Sequence, residues 1–432
     1  MSSAIADAVS RADGPTWLLD RRAAAHERFR SSPLPSTEAE EWRYSRIGEL
    51  DLSRYAPVEA PQERPVEPVL DEIVSAAGTL AALVLVRNGR VVHVECSEEA
   101  AGAGLTVGRL RDMEADGSRL GSVAGAARDA VGELHDALST DPVLVEVARG
   151  RVVTDPVLVL HWTDLEGSVS APHLVVRAGE NSEVTVYDHQ VSADVDALVL
   201  PVVELDVAQA GRLRYQNAQT LGPRVWQLGR QASSIGRDAH LLTAMVALGG
   251  DYARLAVDST MVGKGGSGDM LAIYFGEGTQ LLDFRTTQDH VAPATTSNLL
   301  FKGAVQDTSR AVYTGLIHIG KQAAGVNAFQ TNRNVKLSAG AWAESVPNLE
   351  IENNDVRCSH ASAVGPVDED QRFYLESRGV PPQAAERLVV LGFFEEVLER
   401  LPVPGAAGGL RQAIAAKLAR RVPDDDRIGS GR

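Results

Sequence analysis

LLTAMVALGGDYARLAVDSTMVGKGGSGDMLAIYF, residues 241–275, holds the pattern on which the fold turns. Two apolar runs, 241–248 and 271–275, read as strands on either side of glycine and aspartate punctuation. The same kind of run returns upstream at 156–161, 173–177, 183–187 and 202–207, with a Gly, Asn or Asp break every 10 to 15 residues or so. No amphipathic helix of ten or more residues separates these runs, so a doubly wound sheet would lack its crossovers. More than 200 residues of short strands in series exceed what one sandwich normally uses. A solenoid absorbs such a run by stacking coil on coil. The expected fold is therefore mainly β, with a right-handed parallel β-helix core over 141–355 whose individual coils the irregular pattern leaves unassigned.

Helical regions are expected on both flanks. Residues 1–140 form an N-terminal helical region with a β-hairpin. Trp17, Leu18, Arg21, Arg22, Ala25 and Phe29 recur at helical spacing up to Pro33 and Pro35. A second helix start is offered by Ser36 or Thr37, with Glu38, Glu40 and Glu41 suited to its first turn. After a Pro-rich spacer at 57–68, two apolar runs joined by Asn88-Gly89 read as a hairpin with a tight turn. Residues 356–432 form a C-terminal helical module. Val390, Phe394, Val397, Leu398 and Leu401 share one face, a short helix follows at 410–421, and the polar tail from Pro423 is expected to be disordered.

Composition narrows the function classes. The chain has 432 residues with 58 acidic against 42 basic side chains, a formal charge of −16. Such a field repels phosphate backbones and anionic bilayers, so neither nucleic acid nor membrane is an expected partner. Two cysteines, Cys96 and Cys358, are too few for a disulfide framework. With no export signal and no apolar run of spanning length, the expected location is cytoplasmic.

The chemistry centres on Cys358-Ser359-His360. In an extended segment, residues two apart project to one side, so a thiol and an imidazole would share a face. That donor pair suits iron or zinc. An iron–sulfur cluster takes about four protein ligands, mostly thiolates. Two cysteines far apart in one chain do not supply them, so a cluster at this pair requires ligands from a second polypeptide.

The stretch PNLEIENNDVRCSHASAVG, residues 347–365, resembles the SufB/SufD family pattern, and in particular that of SufD. The resemblance extends to Phe373-Tyr374-Leu375, Ser377-Arg378-Gly379, Gly392-Phe393 and Glu396-Val397-Leu398. Upstream it includes the run 313–319, Gln330-Thr331-Asn332, and Glu41-Trp42-Arg43-Tyr44. It implies a non-catalytic scaffold subunit of a SufBCD-type complex that assembles iron–sulfur clusters. A SufB-like subunit and a SufC-like ATPase would be its partners, with a homodimer possible for the chain alone. Cys358 and His360 would be transient iron or cluster ligands shared with the SufB-like subunit, with no permanently bound cofactor. Phe373, Tyr374, Arg378, Phe393, Phe394 and Val397 would form the surface for the ATPase. Two positions depart from the family pattern: Ala361-Ser362-Ala363 replaces Gly-Ala-Thr, and Asn354 replaces an acidic residue.

Rival readings draw on other residues. A SufB-like scaffold would carry His-Glu-Ala-Thr at this place and more cysteines. A carbohydrate-active β-helix enzyme would use paired carboxylates, for which Asp283, Asp289 and His290 are the candidates. The glycine-rich 263–268 lacks the Gly-Lys-[Ser/Thr] ending of a phosphate loop and is expected to be a plain loop. Trp42-Arg43-Tyr44 is expected to do structural packing.

Overall fold

The computed structural model describes residues 2–58, 63–113 and 117–420. At its centre is a parallel β-solenoid in which successive strands alternate between two sheets, of 12 and 10 strands among the described residues. Tyr252, Leu281 and Arg310 occupy neighbouring rungs of the first sheet, so one coil takes roughly thirty residues. Such a coil cannot bury its own apolar face, but stacking makes the buried faces continuous. In the second sheet one inward column runs Val184, Leu213, Leu241, Gly268, Ser297, Ala328. A second runs Val186, Tyr215, Thr243, Met270, Leu299, Gln330.

A column of corners marks each coil. Gly150, Asn181, Ala210, Asp238, Gly265, Ala294 and Gly325 all have positive φ. The N–H of each of the first six donates to the carbonyl of the residue just before the next: Gly150 to Glu180, Asn181 to Gln209, and so on to Ala294 on Ala324. The left-handed conformation suits Gly, Asn and Asp, whereas alanine bears a steric cost of about 1 kcal/mol or more there. In the 263–268 loop the constraint is closer still, because a Cβ on Gly263 would stand 2.0 Å from the Arg237 nitrogen.

The flanking helices cover the outer faces. The segment holding Trp42, Ile47, Leu52 and Tyr55 packs on Leu198, Trp226, Leu228 and Tyr252 of the first sheet. Helices Pro382–Leu398 and Pro404–Arg420 lie on the second sheet, where Val390, Phe394, Leu410 and Ile414 meet Leu271, Ile273 and Phe275. Gln216 and Gln306 of the solenoid clasp this module, through the Val403 N–H at 2.9 Å and the Lys417 carbonyl at 3.0 Å.

The two ends of the solenoid differ. At the first end, Ala82–Arg87 joins the ladder in parallel and turns through Asn88 and Gly89, both at positive φ, into antiparallel Arg90–Cys96. Leu105–Arg109 caps the other sheet in the same antiparallel way. At the far end, Trp342–Ile351 and Val356–Pro366 terminate their sheets, and among the described residues neither has a strand on its outer side.

Three features depart from expectation. The ladder runs through Pro366 and does not stop at 355, since Val356–Pro366 pairs in register with Val326–Lys336. The second N-terminal helix is only a 3-10 turn at Glu40–Trp42. Its carbonyls also accept from arginines of the solenoid, Arg285 on Glu40 and Arg254 on Glu41. The last helix starts at Pro404, a residue tolerated at a helix start, well before 410. Part of the Pro-rich spacer and the tail from Pro423 lie outside the described residues.

Candidate metal-ligand edge

Cys358 and His360 continue the two inward columns. Cys358 pairs with Ala328 and His360 with Gln330, whose side chains are buried. In every earlier coil these positions belong to the interior. In the last one they carry a thiol and an imidazole, and no further coil covers them among the described residues. Cys358 is half-buried and His360 exposed. The thiol rests near Ile317, Ile319 and Ala328, and this burial pushes its pKa up. A raised pKa keeps the lone sulfur protonated until a metal or a neighbouring cation draws the proton off.

Gln330, directly beneath His360, is a residue whose part at this edge the sequence pattern did not reveal. Its carboxamide is buried, and neither its nitrogen nor its oxygen has a hydrogen-bond partner among the described residues. The space it occupies exists because Gly315 has no side chain; a Cβ there would stand 2.0 Å from the Gln330 nitrogen. Nearby, Asn332 donates to the Tyr274 hydroxyl at 2.7 Å, and that hydroxyl donates to Asn334 at 2.7 Å. The interior below His360 thus carries polar side chains, whereas that below Cys358 is apolar. Knowing the coil register would have exposed this, because residues 330, 332 and 334 then fall on the inward face.

The same edge is apolar in patches. Leu349 and Ile351 extend the inward columns of Ile317 and Ile319, Val364 extends that of Asn334, and Phe329 lies on the outer face; all four are exposed by 38% or more, beside the unpaired strand backbones. Unpaired edges of this kind template pairing with another chain.

The six residues expected to meet an ATPase divide. Phe373 is 70% exposed and Tyr374 57% exposed, with the Arg378 guanidinium 5.2 Å from the Tyr374 ring. Phe393 is partly exposed and borders an open groove with Tyr374, Leu375 and Leu388. Phe394 and Val397 are corrected: both are wholly buried, with Phe394 6.2 Å from Phe275, so they anchor the module and offer a partner no surface. A helix packed on a sheet presents one face inward, and these two residues lie on it.

The other candidates resolve into structure. Asp283 is buried and ion-paired with Arg254, and also accepts from Tyr252 at 3.0 Å. Asp289 pairs with His318 at 2.7 Å, while His290 is buried on Thr295 and Ser297. These bonds commit the residues that acid/base cleavage would require free. Trp42 is buried, donates to Asp129 at 3.0 Å and stacks 4.4 Å from Arg254.

His135, Asp136 and His173 also converge, with ligand atoms within 4.8 Å of one another. Every ring nitrogen there is engaged. His135 Nδ1 faces the Leu200 carbonyl at 2.6 Å, His135 Nε2 faces His173 Nδ1 at 2.9 Å, and His173 Nε2 faces Glu204 at 2.8 Å. Asp136 is held by Arg21. Glu204 accepts three backbone N–H groups besides, and its pKa falls to about 2: His173 and these donors outweigh the opposing effect of burial. An ionised Glu204 and a carbonyl both need donors, so His173 Nε2 donates to Glu204 and His135 Nδ1 to the Leu200 carbonyl. This is a hydrogen-bond relay tying the helix Ala130–Leu138 to the solenoid.

The described residues thus form a parallel solenoid whose last coil presents a thiol and an imidazole side by side. The sequence model described as "SUF system FeS cluster assembly, SufBD core domain" matches residues 161–393, and "SufBD protein N-terminal region" matches 6–159. The chain belongs to the SufBD family of iron–sulfur cluster assembly proteins. It is 37% identical to a SufBD family protein of Mycobacterium tuberculosis over 69% of this chain and 77% of that one. More specifically it is SufD-like, being 26% identical to the iron–sulfur cluster assembly protein SufD of Bacillus subtilis over 94% of both chains. It is 25% identical to SufD of Escherichia coli over 90% of both. No helix among the described residues is long and apolar enough to cross a membrane.

Proposed function

We propose that this chain is a non-catalytic subunit of a SufBCD-type complex in the cytoplasm. Its open solenoid edge pairs with a SufB-like subunit, and Cys358 and His360 become transient ligands to iron or a nascent cluster between the two chains. The observation that carries this reading is the placement of both residues in core columns that the last coil leaves uncovered. One thiol and one imidazole leave a cluster short of ligands, which a second chain can complete. In the same reading the exposed Phe373, Tyr374, Arg378 and the edge of Phe393 meet a SufC-like ATPase.

Co-expression with the two partner subunits tests it. Cys358→Ser and His360→Ala should leave the complex intact and lower cluster yield severalfold, measured by iron content and visible absorbance. Equal yield from both variants would end the ligand role. Gln330→Leu sharpens the test. Replacing an unpaired buried carboxamide with an apolar side chain should leave the melting temperature unchanged or raised. If Gln330 supports His360, cluster yield should fall nonetheless.

A further inference from the structure

Away from the open edge, a cavity of about 600 Å³ lies between the first sheet, the segment around Trp42 and the start of the helix Ala130–Leu138. Its volume is in the range of small-molecule sites. Part of its lining is apolar, formed by Pro33, Leu34, Val131 and Leu228. Another part is cationic.

Arg230, Ala256 and Arg285 occupy one line across three adjacent strands. Strand spacing sets the two arginine Cα atoms about 9–10 Å apart, close enough for both guanidinium groups to converge over the small Ala256. Their neutralisation is incomplete. Arg230 shares the single carboxylate of Asp258 with Arg128. Arg285 has no carboxylate partner among the described residues; its guanidinium donates to the Glu40 carbonyl at 2.8 Å. Two acids on the cavity wall are committed elsewhere: Asp136 to Arg21, and Asp129 to the Trp42 indole and the Gly132 N–H. The third, Glu41, is exposed. Both arginines have lowered pKa values, through burial first and then through a neighbouring arginine, Arg128 for Arg230 and Arg254 for Arg285. Each would be relieved by an anion.

We propose that this cavity binds a small organic anion, an oxyanion head on an apolar body, with Arg285 and Arg230 holding the head and the Leu34–Leu228 wall holding the body. Paired guanidinium groups match the planar or tetrahedral oxygens of a carboxylate or phosphate. The apolar wall excludes a bare inorganic ion as the preferred ligand. None of the residues lining this cavity belongs to the last two strands, the second of which holds Cys358 and His360, so its occupancy is separable from cluster assembly.

Calorimetric titration of the full chain with phenyl phosphate, benzoate, inorganic phosphate and phenol tests this. Phenyl phosphate or benzoate should bind more tightly than either fragment, and the stronger of the two identifies the head group. Arg285→Gln should weaken that binding about tenfold or more, the scale of a lost charge-assisted pair. Ala256→Phe should block it by filling the space between the arginines while leaving every charge in place. Thermal melts of both variants report whether the fold is kept. Absence of binding by both aromatic anions at millimolar concentration would overturn the proposal, as would equal binding by the unmodified chain and two folded variants.

Discussion

The two ends of the solenoid are built from the same repeat and finished in opposite ways. At the first end, antiparallel strands cap both sheets, and Val84, between two neighbouring strands, is fully buried. At the last end two strands stop with no strand on their outer sides among the described residues, and Val364 is 42% exposed. A stacked repeat always has two terminal coils whose faces must be covered. Antiparallel strands finish one end here and parallel strands with exposed apolar side chains the other, which teaches that the form of each end is a feature of the sequence and not a necessity of the fold.

The sharpest way to break this contrast is to place the same charge at each end. Val84→Asp should unfold the chain, because an unpaired carboxylate at that depth costs upward of about 4 kcal/mol. Val364→Asp should change the urea midpoint by no more than about 0.5 kcal/mol equivalent while weakening association with a SufB-like partner on a sizing column. If both variants unfolded, the last coil would be as integral as the first.

Acid should act on the sealed parts of the molecule. Burial is the first cause that pushes the pKa values of His135, His189 and His290 down to about 4. Their unfolded values lie near 6.5, so the unfolded chain takes up these protons first. Stability is therefore complete above about pH 6.5 and declines as pH falls toward 4, by up to about 3 kcal/mol per histidine. Urea midpoints measured from pH 7 to 4.5 should fall steadily, and His189→Gln should flatten the slope. A profile unchanged by that substitution would contradict the assignment.

The smallest expected effect sharpens the corner column. Ala210 and Ala294 hold positive φ in places where neighbouring coils use Asn, Asp or Gly. Ala210→Gly should raise stability by about 0.5 kcal/mol, relief of the left-handed strain exceeding the entropy glycine adds to the unfolded chain. A thermal melt reads it directly, and destabilisation would mean that the corner tolerates alanine without strain.

Those same alanines explain what could be read from the sequence and what could not. Strand-rich runs punctuated by turn residues announced a solenoid, and Asn88-Gly89 announced the hairpin, because each rests on local chemistry. The coil register stayed hidden, since Ala210 and Ala294 carry no turn signal and their conformation is imposed by the stack. Without the register, Val356–Pro366 could not be recognised as one more strand, nor Gln330 as the residue beneath His360. The thiol–imidazole pair was legible because the period of an extended strand alone puts 358 and 360 on one face. Phe394 and Val397 were misplaced for the converse reason: an apolar helix face marks burial but does not say whether the cover is the same chain or another.

The central claim is that the open edge is where a second polypeptide completes the scaffold, and amide hydrogen exchange measures it most directly. In the isolated chain, amides of Val356–Pro366 that face outward from the ladder should exchange fast, while those of Ala82–Arg87 should be protected. In a complex with a SufB-like subunit, protection should appear across Val356–Pro366 and Trp342–Ile351 and remain unchanged at the capped end. New protection confined to other surfaces, with the last two strands exchanging as before, would contradict the account.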